Sequence, residues 1–131
     1  MPLTLARLII YVRNFPAAKS FYLQHFELPV TEEIEGEWIV FGAGAVELAL
    51  HLMGERYRER PAEPSAEDAD EKAGPTTKIV FKITSDLAAH REKLKAAGVR
   101  VGKIKRYDGF PYEMYDGRDP EGNVFQVMRE D

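Results

Sequence analysis

The chain has 131 residues, 44% apolar and 31% charged, which suits one domain with a real hydrophobic core. It contains no cysteine, and this excludes disulfides, thiolate metal sites and a cysteine nucleophile. A formal charge of -4 without a basic stripe argues against nucleic-acid binding, no apolar run nears the roughly 20 residues of a membrane span, and the N-terminus shows no signal-peptide pattern, so a cytoplasmic protein is expected.

Residues 5–12 read as a short aliphatic strand, followed by Asn14 as a helix cap and Pro16 in the first helical turn. Phe15, Ala18, Tyr22 and Phe26 then recur at helical spacing. Strand-like runs follow at 30–34, 38–41 and 46–52, separated by glycine turns. Residues 61–75 hold five acids, one lysine and three prolines, with no aromatic or branched aliphatic residue. Such a stretch cannot bury apolar surface and reads as a mobile linker, with a lid role left open. Beyond it, residues 78–84 form another strand, Ser85 caps a helix carrying Leu87, Leu94 and Ala97 on its apolar face, and Gly98 ends that helix. Strands at 99–105, 112–115 and 124–128 complete the set.

Sliding the chain along itself by 71 positions lays RLIIYVRNFPAA over KIVFKITSDLAA, with Asn14 over Ser85 and the Ala-Ala pairs in step. This is too long a period for a solenoid and reads as two copies of one β-α-β-β-β unit. In each, a single helix covers one face of a four-stranded sheet and leaves the other face for a partner. The expected fold is α+β: module 1 at 1–53, a linker at 54–75 and module 2 at 76–131, with mixed, curved sheets enclosing a cavity.

Two local signals join the repeat: the Phe21-Tyr22 pair in the first helix, and Asp119-Pro120-Glu121-Gly122-Asn123 before the last strand. The latter suits a tight turn, with proline fixing φ and glycine or asparagine accepting positive φ. Together these features resemble the vicinal oxygen chelate superfamily, the glyoxalase, bleomycin resistance protein and extradiol dioxygenase family, over nearly the whole chain. The resemblance implies a lyase, isomerase or dioxygenase, or a drug-sequestering binding protein, and it implies a homodimer.

It also implies four metal-ligand positions, one on the first and one on the last strand of each module. Carried over by position, they fall on Arg7, Glu47, Lys78 and Gln126. Only Glu47 matches the family's His or Glu; arginine and lysine offer donors but no lone pair. No metal and no cofactor are therefore expected. Residues two apart on a strand share a face, so Ile9 and Tyr11 accompany Arg7, and Ala49 and His51 accompany Glu47. By the same rule Val80 and Lys82 accompany Lys78, and Met128 accompanies Gln126.

Two readings of the four positions stay open. One is a closed network of buried charges that fills the old metal site; removing Glu47 from it would cost about 3–5 kcal/mol. The other leaves one cation free for an anionic ligand group, for which arginine's fork of donors is suited. Tyr11, Trp38, Tyr112 and Tyr115 are candidates to stack a planar ligand, whereas Glu113 and Asp116 read as solvated. Glu47 and His51 share a face, and a rearranged catalytic site around them is the enzymatic alternative to binding a small organic molecule, an anionic one included.

Overall fold

The computed structural model describes residues 2, 5–55 and 77–131. The segment at 61–75, read as a linker, lies outside the described residues. The chain divides into two compact units, Met1–Ala62 and Glu63–Asp131.

Unit 1 contains β1 (Arg7–Val12), α1 (Phe15–Phe26), β2 (Val30–Ile34), β3 (Trp38–Ala43) and β4 (Val46–Leu52). The sheet runs β1-β4-β3-β2, with β1 parallel to β4 and the other pairs antiparallel. Asn14 caps α1 by accepting from Ala17 N at 3.1 Å, and Pro16 occupies the first turn, where a missing N–H costs nothing. Phe15, Ala18, Phe21 and Tyr22 make the buried stripe of α1, which packs with Ile39, Phe41, Leu48 and Leu50 into the first core. A Lys19–Glu33 ion pair ties the polar side of α1 to β2.

Unit 2 contains β5 (Lys78–Lys82), α2 (Leu87–Ala96), β6 (Tyr112–Arg118) and β7 (Val124–Glu130). Its sheet runs β5-β7-β6, with β5 parallel to β7 and β6 antiparallel to it. Both units thus close their sheet by pairing the first strand in parallel with the last. The cap of α2 is Asp86, which accepts from Ala89 N at 3.1 Å, not the expected Ser85. The second helix therefore starts one residue later, relative to its strand, than the repeat alignment implies. Gly98 follows the helix at φ +86, the left-handed conformation that glycine tolerates best.

The strand expected at 99–105 does not form. Only Val101 and Lys105 bridge to β6, opposite Gly117 and Met114 respectively. Four steps along this segment match three along β6, so an extra residue interrupts the ladder as a bulge would. Gly117 makes the approach possible: a Cβ there would meet the Phe125 ring and lie 2.9 Å from the Arg100 carbonyl. Around it Leu87, Leu94, Tyr115, Phe125 and Val127 form the second core. Among the described residues no helix is long and apolar enough to cross a membrane.

The turn between β6 and β7 is built on Asp119, which is only 5% exposed. Its Oδ1 accepts from Glu121 N at 2.9 Å and Asn123 N at 2.8 Å, and its Oδ2 accepts from Asn123 Nδ2 at 3.0 Å. Gly122 takes φ +87 within it. Asp119→Ala leaves these donors without their acceptor, and such losses cost about 1–3 kcal/mol. Urea unfolding should show a stability loss of that size, and an unchanged midpoint would mean that the turn holds without the carboxylate.

Candidate functional site

In β1 the alternation of side chains sends Arg7, Ile9 and Tyr11 to one face, and the parallel register sets them beside Glu47, Ala49 and His51 of β4. Across β4, His51 stands opposite Trp38, and Glu47 opposite Gly42. The face so assembled is the one turned away from the Phe41, Leu48 and Leu50 core. Arg7 donates from Nε at 3.1 Å and from Nη2 at 2.9 Å to the same oxygen, Glu47 Oε1. Its guanidinium carbon also lies 5.4 Å from the centre of the Trp38 ring, a cation–π distance. The indole N–H of Trp38 donates to Glu32 Oε2 at 2.6 Å.

Toward the Val12 end of this face stand three rings, with His51 in contact with the other two. His51 lies 5.3 Å from Tyr11 and 5.5 Å from Trp38, between centroids. Tyr11 is 57% exposed, so most of its ring surface faces solvent. His51 Nδ1 donates to the Leu52 carbonyl at 2.8 Å, which leaves Nε2 as the lone-pair nitrogen of the neutral ring. Glu47 and His51 are four residues apart on one strand, a rise of about 13 Å. They share a face but do not make an acid–base or metal-binding pair.

Unit 2 repeats the arrangement with one change. Lys78 on β5 and Gln126 on β7 both reach Asp116 of β6, Lys78 Nζ donating at 2.8 Å to Oδ2 and Gln126 Nε2 at 3.0 Å to Oδ1. Asp116 is directly opposite Gln126 in the β6–β7 ladder. Asp116, a solvated residue by sequence and 44% exposed at its side chain, is the anchor of this polar row. Met128 shares the face, opposite Met114. Lys78, Asp116, Gln126 and Met114, with Lys103, Lys105 and Tyr107, line a cavity of about 350 Å³ within the unit.

Tyr115 also borders this cavity, although its side chain projects from the other face of β6. It pairs with Val127 on the opposite face from Asp116, is 1% exposed, and its hydroxyl is 2.6 Å from His90 Nδ1 of α2. Its ring is part of the second core, edge-on to Phe125. Burial pushes its hydroxyl above the ordinary phenol range, with nearby Arg91 opposing the shift. Tyr112 lies on the Asp116 face at the far end of β6, half-buried beside Phe110.

A family model described as Glyoxalase/Bleomycin resistance protein/Dioxygenase superfamily matches residues 4–127, and the chain belongs to that superfamily. Lactoylglutathione lyase from Agrobacterium tumefaciens shares its fold at 21% identity, over 98% of this chain and 94% of that one, with a TM-score of 0.66. An antibiotic-binding protein from Streptomyces sp. CB03234, TnmS3, does so at 17% identity, over 99% and 98%, with a TM-score of 0.70. So does an integron cassette protein from the mobile metagenome of V. cholerae, at 18% identity over 100% and 98%, with a TM-score of 0.70. A search of curated proteins finds no match.

Two predictions follow from the burial of these groups. The Arg7 and Glu47 side chains are 34% and 38% exposed, so their pair is not the buried one expected from the sequence. Half-exposed pairs contribute about 0–1 kcal/mol, and Glu47→Gln should shift the urea midpoint by no more than that. A loss of several kcal/mol would restore the buried network. For Tyr115 the raised folded-state pKa means that its contribution is complete below the ordinary value of 10.0 and is lost as pH rises above it. Stability should therefore fall above that pH, and Tyr115→Phe should flatten the fall while costing about 1 kcal/mol at neutral pH for the lost hydrogen bond. An alkaline fall of the same steepness in the variant would place its origin in another group.

Proposed function

We propose that this protein is a metal-free member of its superfamily that binds a small organic molecule, with an anionic group engaging the cations of its open sheet faces. One observation carries the reading: the four positions that the family assigns to metal ligands hold Arg7 paired with Glu47, and Lys78 and Gln126 both bound to Asp116. The residues present do not fit a divalent ion. Arg7 and Lys78 have no lone pair to give and would repel it. Glu47 already accepts two hydrogen bonds on Oε1, and both oxygens of Asp116 are engaged. Among the described residues no three or more His, Asp or Glu side chains are grouped to hold a metal.

What the faces do offer is recognition chemistry. The exposed Tyr11 ring, with His51 against it and Trp38 in turn against His51, presents π surface to a planar group. Arg7 Nη1 has no partner among the described residues and is free to meet a carboxylate. The antibiotic-binding TnmS3 is a precedent for this use of the fold, although at 17% identity it says nothing about this chain's ligand. The proposal extends to a homodimer, supported by the exposed Val30 and Ile34 on the edge strand β2.

Metal analysis of protein purified without an affinity tag tests the central claim. It should return no stoichiometric zinc, nickel, manganese or iron, and chelator treatment should leave the melting temperature unchanged. Stoichiometric metal, or a lower melting temperature after chelation, would reject the metal-free reading in favour of an enzyme. Light scattering that gives a monomer mass at micromolar concentration would remove the dimer.

A further inference from the structure

The polar row of unit 2 is not electrically balanced. Its cavity is lined by three lysines, Lys78, Lys103 and Lys105, against a single carboxylate, Asp116. Lys78 is matched to Asp116, and Gln126 occupies that carboxylate's other oxygen. Lys103 and Lys105 have no side-chain partner among the described residues. The cavity thus carries an excess of two formal positive charges, in a chain whose net charge is -4.

The backbone explains why Lys105 belongs to it. Lys105 and Met114 exchange N–H···O bonds, Lys105 N to Met114 O at 2.8 Å and Met114 N to Lys105 O at 3.0 Å. Paired residues share a face, so Lys105 lies with Met114, Asp116 and Gln126, and Lys103, on the same irregular segment, also lines the cavity. Gly102 N donates to Asp116 O at 2.7 Å and holds the segment against β6. Beside Gly102 and Tyr115, the rest of the lining includes the Met114 thioether and the Tyr107 ring, which is 53% exposed. Gln126 spends one donor on Asp116, and among the described residues no hydrogen bond occupies its amide oxygen. A volume of about 350 Å³ falls at the small end of the range for small-molecule sites, roughly 300–1,000 Å³.

We propose that this cavity binds a planar aromatic carboxylate, with Lys103 and Lys105 holding the carboxylate and Tyr107 and Met114 packing against the ring. The assignment rests on the metal-free reading given above and narrows its ligand to a class and a place. The two lysines act as charge partners that nothing else among the described residues consumes. Their carboxylate-binding energy is accordingly not offset by breaking an existing ion pair. An aryl group suits the Tyr107 and Met114 surfaces through ring packing and sulfur–aromatic contact. Asp116 does not oppose the anion, because its charge is already matched by Lys78.

Isothermal titration of the full chain with 2-naphthoate, and with the neutral isostere 2-naphthamide, tests this. Naphthoate should bind and naphthamide should bind more weakly by about tenfold or more, the scale of one charged hydrogen bond. The double variant Lys103→Gln/Lys105→Gln should lose naphthoate affinity by a similar factor while keeping the wild-type circular dichroism spectrum. Lys95→Gln, an exposed lysine of α2, should bind as the wild type does. Equal affinity for the acid and the amide overturns the proposal, as does an unaffected double variant or an absence of naphthoate binding at millimolar concentration. Should affinity fall in Arg7→Gln and persist in the double variant, the anion sits in unit 1; that also overturns this proposal but leaves metal-free binding intact. Stoichiometric metal in the purified protein is a separate outcome and removes the underlying reading itself.

Discussion

Asp119 surrenders its hydration to the turn that follows it, and the three donors aimed at its carboxylate are what make that burial tolerable. The turn they build fixes Arg118 opposite Val124. From that pair inward the antiparallel ladder leaves no choice: Asp116 meets Gln126, and Met114 meets Met128. A slip of one residue would exchange the faces of β6, sending Asp116 toward the helix and Tyr115 out of the core. The polar row and the cavity beside it both hang on this register.

The two units match a cation with a carboxylate in different ways, and side-chain geometry explains the difference. Arg7 needs only its neighbour in the next strand, since a guanidinium fork reaches Glu47 directly across the β1–β4 pair. Lys78 spans β7 to find Asp116 on β6, two strand spacings or about 10 Å away, and Gln126 on the intervening strand steadies the same carboxylate. Neither cluster is deeply buried, so neither carries much of the folding free energy. Stability resides in the aromatic and aliphatic layers under the helices, around Tyr22 and Phe41 in one unit and Tyr115 and Phe125 in the other. Substitution in the polar rows can therefore change ligand chemistry without unfolding the sheet beneath.

Much of this was legible in the chain. Period-two alternation gave the strands their faces, the Asn14 cap and Pro16 marked the first helix, and the 71-residue offset revealed the duplicated unit. Three features escaped, each for a physical reason. Ser85 and Asp86 are both competent caps, and the choice between them depends on how many residues the connection from β5 consumes. Residues 99–105 alternate like a strand, but a ladder also needs a continuous partner register, which the extra residue beside β6 denies. Asp116 lies beyond a strand bounded at 115, whereas β6 runs on to Arg118 and a count back from the Asp119 turn sets Asp116 on the face of Gln126. That count would have found Asp116, so the signal was present in the sequence.

Trp38 is the sole tryptophan of the chain, and it sits where Arg7, Glu32 and His51 all touch its indole. Its near-ultraviolet emission is therefore a native optical probe of unit 1. The six tyrosines are distributed over both units, so unit 2 contributes only the weaker and bluer phenolic signal. A molecule that settles against Tyr11 and His51 alters the indole's surroundings and declares itself by a spectral shift. One that settles beside Lys103 and Lys105 has no indole in that cavity's lining to perturb. The composition thus gives the folded protein an unlabelled way to report which of its two sheets a guest has chosen.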